Sequence, residues 1–257
     1  YRRQRQMCIR DRSVFATRQI GERHAELACP LFSGGAPVRL NADFSKRVVV
    51  RPDEHHWVAS PMPGVERMML DRIGDEVARA TSLVRYAPNS KFSRHVHGGG
   101  EEFLVLDGVF SDEHDDYPAG SYVRNPIGTA HTPHIGPEGC TIFVKLHQFD
   151  IEDREHFVID TRHTPFVPGE YEGIEVMHLH RHGAERVALV RWAPELPYGC
   201  HEHDGIEEVL VLEGSYNDAA GEYPAGSWIR SPAGSRHAPV SGPEGALLYV
   251  KAGQSIP

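Results

Sequence analysis

No run of roughly 18 apolar residues occurs anywhere in the 257-residue chain, so no segment is expected to cross a membrane as a helix. The N-terminal region also lacks the apolar stretch of a secretory signal. Basic residues are in deficit: 27 Lys and Arg stand against 36 Asp and Glu, a formal charge of −9. That balance offers no electrostatic footprint for nucleic acid or for an anionic membrane surface. Cysteine is scarce. Cys8, Cys29, Cys140 and Cys200 form no CxxC pair and no evenly spaced framework, so they read as free thiols in a reducing, cytoplasmic compartment. Helical patterning is missing as well. Its nearest candidate, residues 66–80, aligns with a second stretch, 175–188, that carries alternating histidines and Gly183, so both read as strand–turn–strand.

What the chain does have is turn formers, 25 Gly and 19 Pro, and 17 histidines. The first favour an all-β architecture. The second exceed what ordinary packing needs. Residues 1–45 differ from the rest. The opening YRRQRQMCIRDR is a basic string without periodicity that resembles translated adapter sequence, with a disordered basic arm as the alternative. This segment is expected to lie outside the fold, with a native start near Asn41.

An internal repeat organises the remainder. HVHGGGEEFLVLDG at 95–108 recurs as HEHDGIEEVLVLEG at 201–214, an offset of 106 residues. The same offset carries YPAGSYVRNPIGTAH (117–131) onto YPAGSWIRSPAGSRH (223–237), and GPEG at 136–139 onto 242–245. Upstream, PGVERMML (63–70) matches EGIEVMHL (172–179) at an offset of 109, so one intervening turn differs by three residues. Two duplicated domains follow, 46–150 and 151–257. Short alternating runs such as Ser82–Ala87, Glu102–Leu106, Ser121–Asn125 and Thr141–Leu146, punctuated by Gly, Pro and Asp, predict antiparallel strands in a sandwich or barrel.

Of the histidines, only six are reproduced at the 106 offset. His95 and His97 alternate on one strand and so leave the same face. A glycine turn returns the chain to bring Glu101 beside them, and His131 is expected from the facing sheet. His201, His203, Glu207 and His237 repeat the set. Three imidazoles and a carboxylate suit Zn(II), Fe(II), Mn(II) or Ni(II), predicting two divalent transition metals per chain. Phe103, Val105, Val209 and Val211 share strand parity with the glutamates and should line the metal pockets. Glu102 and Glu208, of opposite parity, read as solvated positions, with orientation of a ligand imidazole as the alternative. Arg124, Arg230, Lys145 and Lys251 read as salt-bridge formers at strand ends. His178, His180 and His182 read as an exposed face.

These residues carry a resemblance. H-x-H-x3-E-x6-G followed by G-x5-P-x-G-x2-H occurs twice and is similar to the two-part cupin signature. Asn89 and Glu195 stand where its leading glycine is expected, and the asparagine many cupins place after the last histidine is missing from both halves. The fuller string resembles the ChrR-like cupins, named for the C-terminal domain of a zinc-dependent anti-sigma factor. The resemblance covers residues 46–252. It implies two tandem RmlC-like jelly-roll β-barrels, a bicupin, with the eight residues above as metal ligands.

It implies several activities, because one cupin scaffold hosts many chemistries. A non-haem dioxygenase acting on a small diketone or hydroxyketone is the leading expectation. A zinc-binding sensor without catalysis is the alternative, and manganese chemistry of the oxalate type comes third. A sigma-factor partner is disfavoured, since His24 and Cys29 lack the H-x3-C-x2-C spacing of the zinc domain that binds it. The expected partner is a small-molecule ligand, and a homodimer stays open.

Overall fold

The computed structural model describes residues 37–254, and the expectation for residues 1–36 lies outside them. Among the described residues the regular structure is strand throughout, apart from one 3-10 turn at Pro52–Glu54, and no helix is long and apolar enough to cross a membrane. Residues 66–80 form strand–turn–strand as expected: Val65–Gly74 pairs antiparallel with Ala78–Tyr86.

The two units are tandem jelly-roll barrels. In the first, strands run in the order Arg39–Leu40, Val65–Gly74, Ala78–Tyr86, His134–Leu146, Glu101–Ser111, Ser121–Asn125, Phe157–Asp160. In the second the order is Val167–Pro168, Ile174–His182, Glu185–Trp192, Val240–Gln254, Ile206–Asp218, Trp228–Ser231, Val48–Val50. The last strand of each sheet comes from the other half of the chain. Phe157–Asp160 lies in the second unit yet pairs with Ser121–Asn125, while Val48–Val50 lies in the first yet pairs with Trp228–Ser231. Each barrel thus closes its sheet edge with a segment from the other unit, covering backbone groups that an open edge would expose.

Residues 37–45, expected outside the fold, belong to it. Arg39 and Leu40 pair with Ile73 and Arg72, Asn41 Nδ2 donates to the Leu70 carbonyl at 2.7 Å, and Phe44 is buried beneath the guanidinium of Arg230.

Among the described residues, strand alternation creates three apolar cores. One fills each barrel, around Phe103, Phe110 and Ile142 in the first and Trp192, Val211 and Leu248 in the second. The third lies between them, where Leu83, Leu104 and Phe143 meet Leu189, Leu210, Trp228 and Tyr249.

Charged residues of the repeat lie in that same interface, which corrects one expectation and extends another. Glu102 and Glu208 are buried rather than solvated. Arg124, Arg230, Lys145 and Lys251 do form ion pairs, Arg124 and Lys145 one residue from their strand ends, but all four are buried. Lys145 of the first barrel binds Glu208 of the second, and Lys251 of the second binds Glu102 of the first. Arg124 also reaches Glu102 at 2.7 Å, and Arg230 reaches Asp71 of the first barrel at 2.9 Å. His180 turns inward as well, at a β-bulge between His178 and His180. Its Nε2 lies 2.8 Å from Asp153, which also accepts from Arg124.

Burial alone would raise the Glu102 carboxyl, but Lys251 and Arg124 more than offset it and hold the group at about 2. Its contribution to stability is therefore full above pH 4.5, the ordinary value, and fades as pH falls toward 2. Lys251→Ala should destabilise the protein by about 3–5 kcal/mol, because it takes one of two cations from a buried carboxylate and leaves Arg124 alone to hold it. Combining it with Glu102→Gln should recover part of that loss. Urea unfolding at neutral pH checks both, and an additive double variant would refute the coupling.

Candidate metal centres

A two-stranded ladder carries the first centre. His95–Val96 pairs with Ala130–His131 and sets His131 directly opposite His95, so the third histidine is a cross-strand neighbour rather than a visitor from a facing sheet. His201 and His237 are paired in the same register. The turn after His97 needs glycine for space: a Cβ on Gly99 would fall 2.6 Å from the Cα of His147, and one on Gly205 would fall 2.8 Å from the Cα of Gly253. That turn returns the chain so that Glu101, first residue of its strand, meets the imidazoles.

In the first centre one ligand atom each from His95, His97, Glu101 and His131 lies within 4.8 Å of all the others. The Nε2 atoms of His95 and His131 are 3.2 Å apart, and Glu101 Oε1 is 3.4 Å from His97 Nε2 and 3.7 Å from His131 Nε2. Two nitrogens held by one ion at about 2.1 Å stand about 3.0–3.4 Å apart, so these separations fit the edges of a coordination shell.

The outward ring nitrogens decide the tautomers. His131 Nδ1 donates to Asp112 Oδ2 at 3.1 Å, and His95 Nδ1 donates to the Ser93 carbonyl at 3.2 Å. The Thr129 hydroxyl is spent on the Pro126 carbonyl, so it accepts from His97 Nδ1 at 2.8 Å. Each Nδ1 therefore carries its proton outward, and three Nε2 lone pairs face inward beside a carboxylate. Four acceptors aimed at one point repel unless a cation lies among them. His97 Nε2 is buried with no hydrogen-bond partner, the orphan a metal would satisfy. Burial, reinforced by neighbouring His95, pushes the His97 imidazole down to about 4, and burial lowers His131 as well, so both are neutral, the form that binds metal.

The second centre repeats most of this. His201, His203 and His237 converge within 4.8 Å, with Nε2 of His237 and His201 3.0 Å apart. His203 Nε2 is likewise buried without a partner, and burial again lowers His237. Glu207 does not join the three-histidine group. Its carboxylate stands 3.4 Å from His203 Nδ1. In the first centre Asn125 Nδ2 steadies Glu101 at 3.2 Å; Ser231 occupies the matching place, and among the described residues no such bond reaches Glu207.

Sequence reading missed the residues behind the ligands. Asp112 and Asp218 recur at the 106 offset, as do Tyr117 and Tyr223, whose hydroxyls donate to them at 3.3 and 2.8 Å. The offset that found the histidines was the available signal. One partner is unshared: Arg47, from the segment that closes the second barrel, binds Asp218 Oδ2 at 2.7 Å, and His237 Nδ1 lies at 3.4 Å from the same oxygen.

A cavity of about 430 Å³ opens over the first centre and one of about 450 Å³ over the second. Both are of small-ligand size. Their apolar walls differ from expectation. Val209 lines the second cavity, but Phe103, Val105 and Val211 lie deeper in the barrel cores. The first cavity is walled instead by Val65, Val84, Phe92, Val144 and Leu146.

The description of the ChrR Cupin-like domain matches residues 45–150 and again 154–256. The chain belongs to that family. No curated protein sequence matches this ChrR-like cupin. Among solved structures, a Nostoc punctiforme protein proposed to be a dioxygenase superposes with a TM-score of 0.69 at 16% identity, covering 83% of this chain and 85% of that one. Ylba from Escherichia coli gives 0.62 at 16% identity, covering 85% and 94%. Oxalate decarboxylase of Bacillus subtilis, with Mn(II) centres, gives 0.56 at 14% identity, covering 86% and 78%. At such identities the likeness is one of fold.

Asp112→Ala should free the His131 ring and weaken metal binding at the first centre by about 10–100-fold, leaving the second unchanged. Competition with a chromogenic chelator measures this. Equal loss at both centres would instead indicate a general effect on stability.

Proposed function

We propose that this ChrR-like bicupin is a metal-dependent oxidoreductase of the non-haem dioxygenase type, acting on a small diketone or hydroxyketone, with a divalent transition metal held in each barrel. The supporting observation is the inward convergence of three imidazole Nε2 atoms on a carboxylate, beneath a cavity of ligand size. His95, His97, Glu101 and His131 would hold the first ion; His201, His203 and His237, with Glu207 close by, would hold the second. When bound, Fe(II) supplies one-electron chemistry toward dioxygen, Mn(II) and Ni(II) fit the same donors, and Zn(II) supplies charge without redox change.

The chain's own residues do the rest. Asp112, Thr129 and the Ser93 carbonyl keep the ring protons outward, and Asn125 keeps Glu101 turned to the imidazoles. Val84, Val144, Leu146 and Phe92 exclude water from a substrate seated over the ligands. Cleavage of a diketone carbon–carbon bond by dioxygen would place its two oxygen atoms on the two fragments. The Nostoc protein's proposed role agrees with this reading.

Protein shown to hold Fe(II) should consume oxygen when a β-diketone or α-hydroxyketone is added, and at background rate otherwise. Glu101→Gln should weaken iron retention and reduce the substrate-dependent rate in step with iron content. Background uptake across such a panel, from iron-loaded protein, would refute catalysis and leave a zinc-binding sensor as the reading.

A further inference from the structure

The two cavities stand over similar centres but differ in charge. Setting the candidate ligands and other histidines aside, the first is lined by Arg67, Arg72 and Glu76, and the second by Arg186 against Glu170, Glu202 and Asp204. The contrast arises at matched strand positions. Arg67 lies opposite Val84 on the first barrel's wall, and Val176 lies opposite Val190 on the second's. A guanidinium therefore replaces an isopropyl group at the same place in the wall.

The three residues by which the first unit is longer lie beside it. Ile73 and Arg79 pair and are followed by a further pair, Gly74 with Ala78, before a turn at 75–77, whereas His182 and Glu185 pair directly across Gly183 and Ala184. The longer turn carries Glu76 and Val77 to the cavity, and Val77 is 77% exposed there. Arg72 fastens that turn, donating to the carbonyls of Gly74, Asp75 and Glu76. Its guanidinium is thereby committed. Arg67 is not committed in this way: its side-chain partner is Glu76, at 3.2 Å, and Glu76 is 39% exposed. An ion pair so open to water holds weakly, and a ligand carboxylate can take the place of Glu76. The positive charge of Arg67 also acts on Arg72, whose pKa is lowered first by burial and then by that neighbour. The mouth of the first cavity is thus a place where one more negative charge is favoured.

We propose that the first cavity selects an anionic ligand, a small chelating ketone or diketone with a carboxylate tail, received by Arg67, while the second cavity, with Val176 and an acidic lining, rejects it. This rests on the reading of the first centre as a metal site that binds a chelating ligand. A guanidinium confined with a carboxylate in a cleft gives a charge-assisted, bidentate contact that an ester cannot reproduce.

The probes are succinylacetone, a β-diketone with a carboxylate tail, and its uncharged methyl ester. Both are titrated into metal-loaded full chain carrying His203→Ala, which keeps the first centre, or His97→Ala, which keeps the second. Calorimetry reads affinity, and elemental analysis of the same samples reads metal. With the first centre filled, the acid should bind roughly tenfold tighter than the ester. Adding Arg67→Val, the residue type of the second barrel, should abolish that preference by weakening the acid alone, with metal content unchanged. Glu76→Gln should strengthen binding of the acid. The second centre should favour the ester. Equal affinities at a metal-filled first centre, or a preference that survives Arg67→Val, would overturn this inference and leave the metal reading intact. A first centre without metal, or one that binds neither compound, would overturn the underlying reading and the inference with it.

Discussion

Glu102 and Glu208 lie buried between the two barrels, each bound by a lysine from the opposite barrel. Breaking either pair would leave a charge in an apolar layer, so the barrels are committed to one relative arrangement. The consequence reaches the candidate centres through strand parity. Glu101 and Glu102 are adjacent, so one side chain enters the barrel and the other enters the interface. The pair of glutamates that reads as one motif serves two compartments. Edge exchange adds to this coupling. Val48–Val50 closes the second barrel and Phe157–Asp160 closes the first, so neither sheet is complete within its own repeat.

Within each barrel the organising constraint is electrostatic. Carboxylate, hydroxyl and carbonyl acceptors behind the first-centre imidazoles hold the ring protons outward, and the lone pairs left inside have no proton to share. The duplicated centres have nevertheless diverged. Glu101 is steadied by Asn125, whereas Glu207 faces Ser231 across its strand pair. Asp218 is pulled by Arg47 from the exchanged segment, while the described partners of Asp112 are His131, Tyr117 and backbone N–H groups. The first centre is thus the more closed set of candidate ligands beneath a cationic wall, and the second the looser set beneath an acidic one.

Much of this was legible in the sequence because duplication supplies a control. The constant offset separated six histidines from seventeen and located both jelly rolls, and alternation placed the strands. What escaped depends on contacts distant in sequence. Parity showed that Glu102 faces away from Glu101, but not that a second barrel, rather than water, waits there. His180 was misread because one bulged residue reverses the parity of the strand beyond it. Phe103, Val105 and Val211 have the right parity but lie too deep, since parity fixes a face and not a depth. The three-residue difference between the hairpins was visible at once, yet its meaning required seeing Glu76 and Arg67 in one cavity.

The central claim is that each barrel gathers acceptors that require a cation. Elemental analysis of full-length protein purified anaerobically, before any metal is added, tests it most directly. The account predicts transition metal approaching two ions per chain. Folded protein that carries no metal, and takes up none when Fe(II), Mn(II), Ni(II) and Zn(II) are offered, would contradict it.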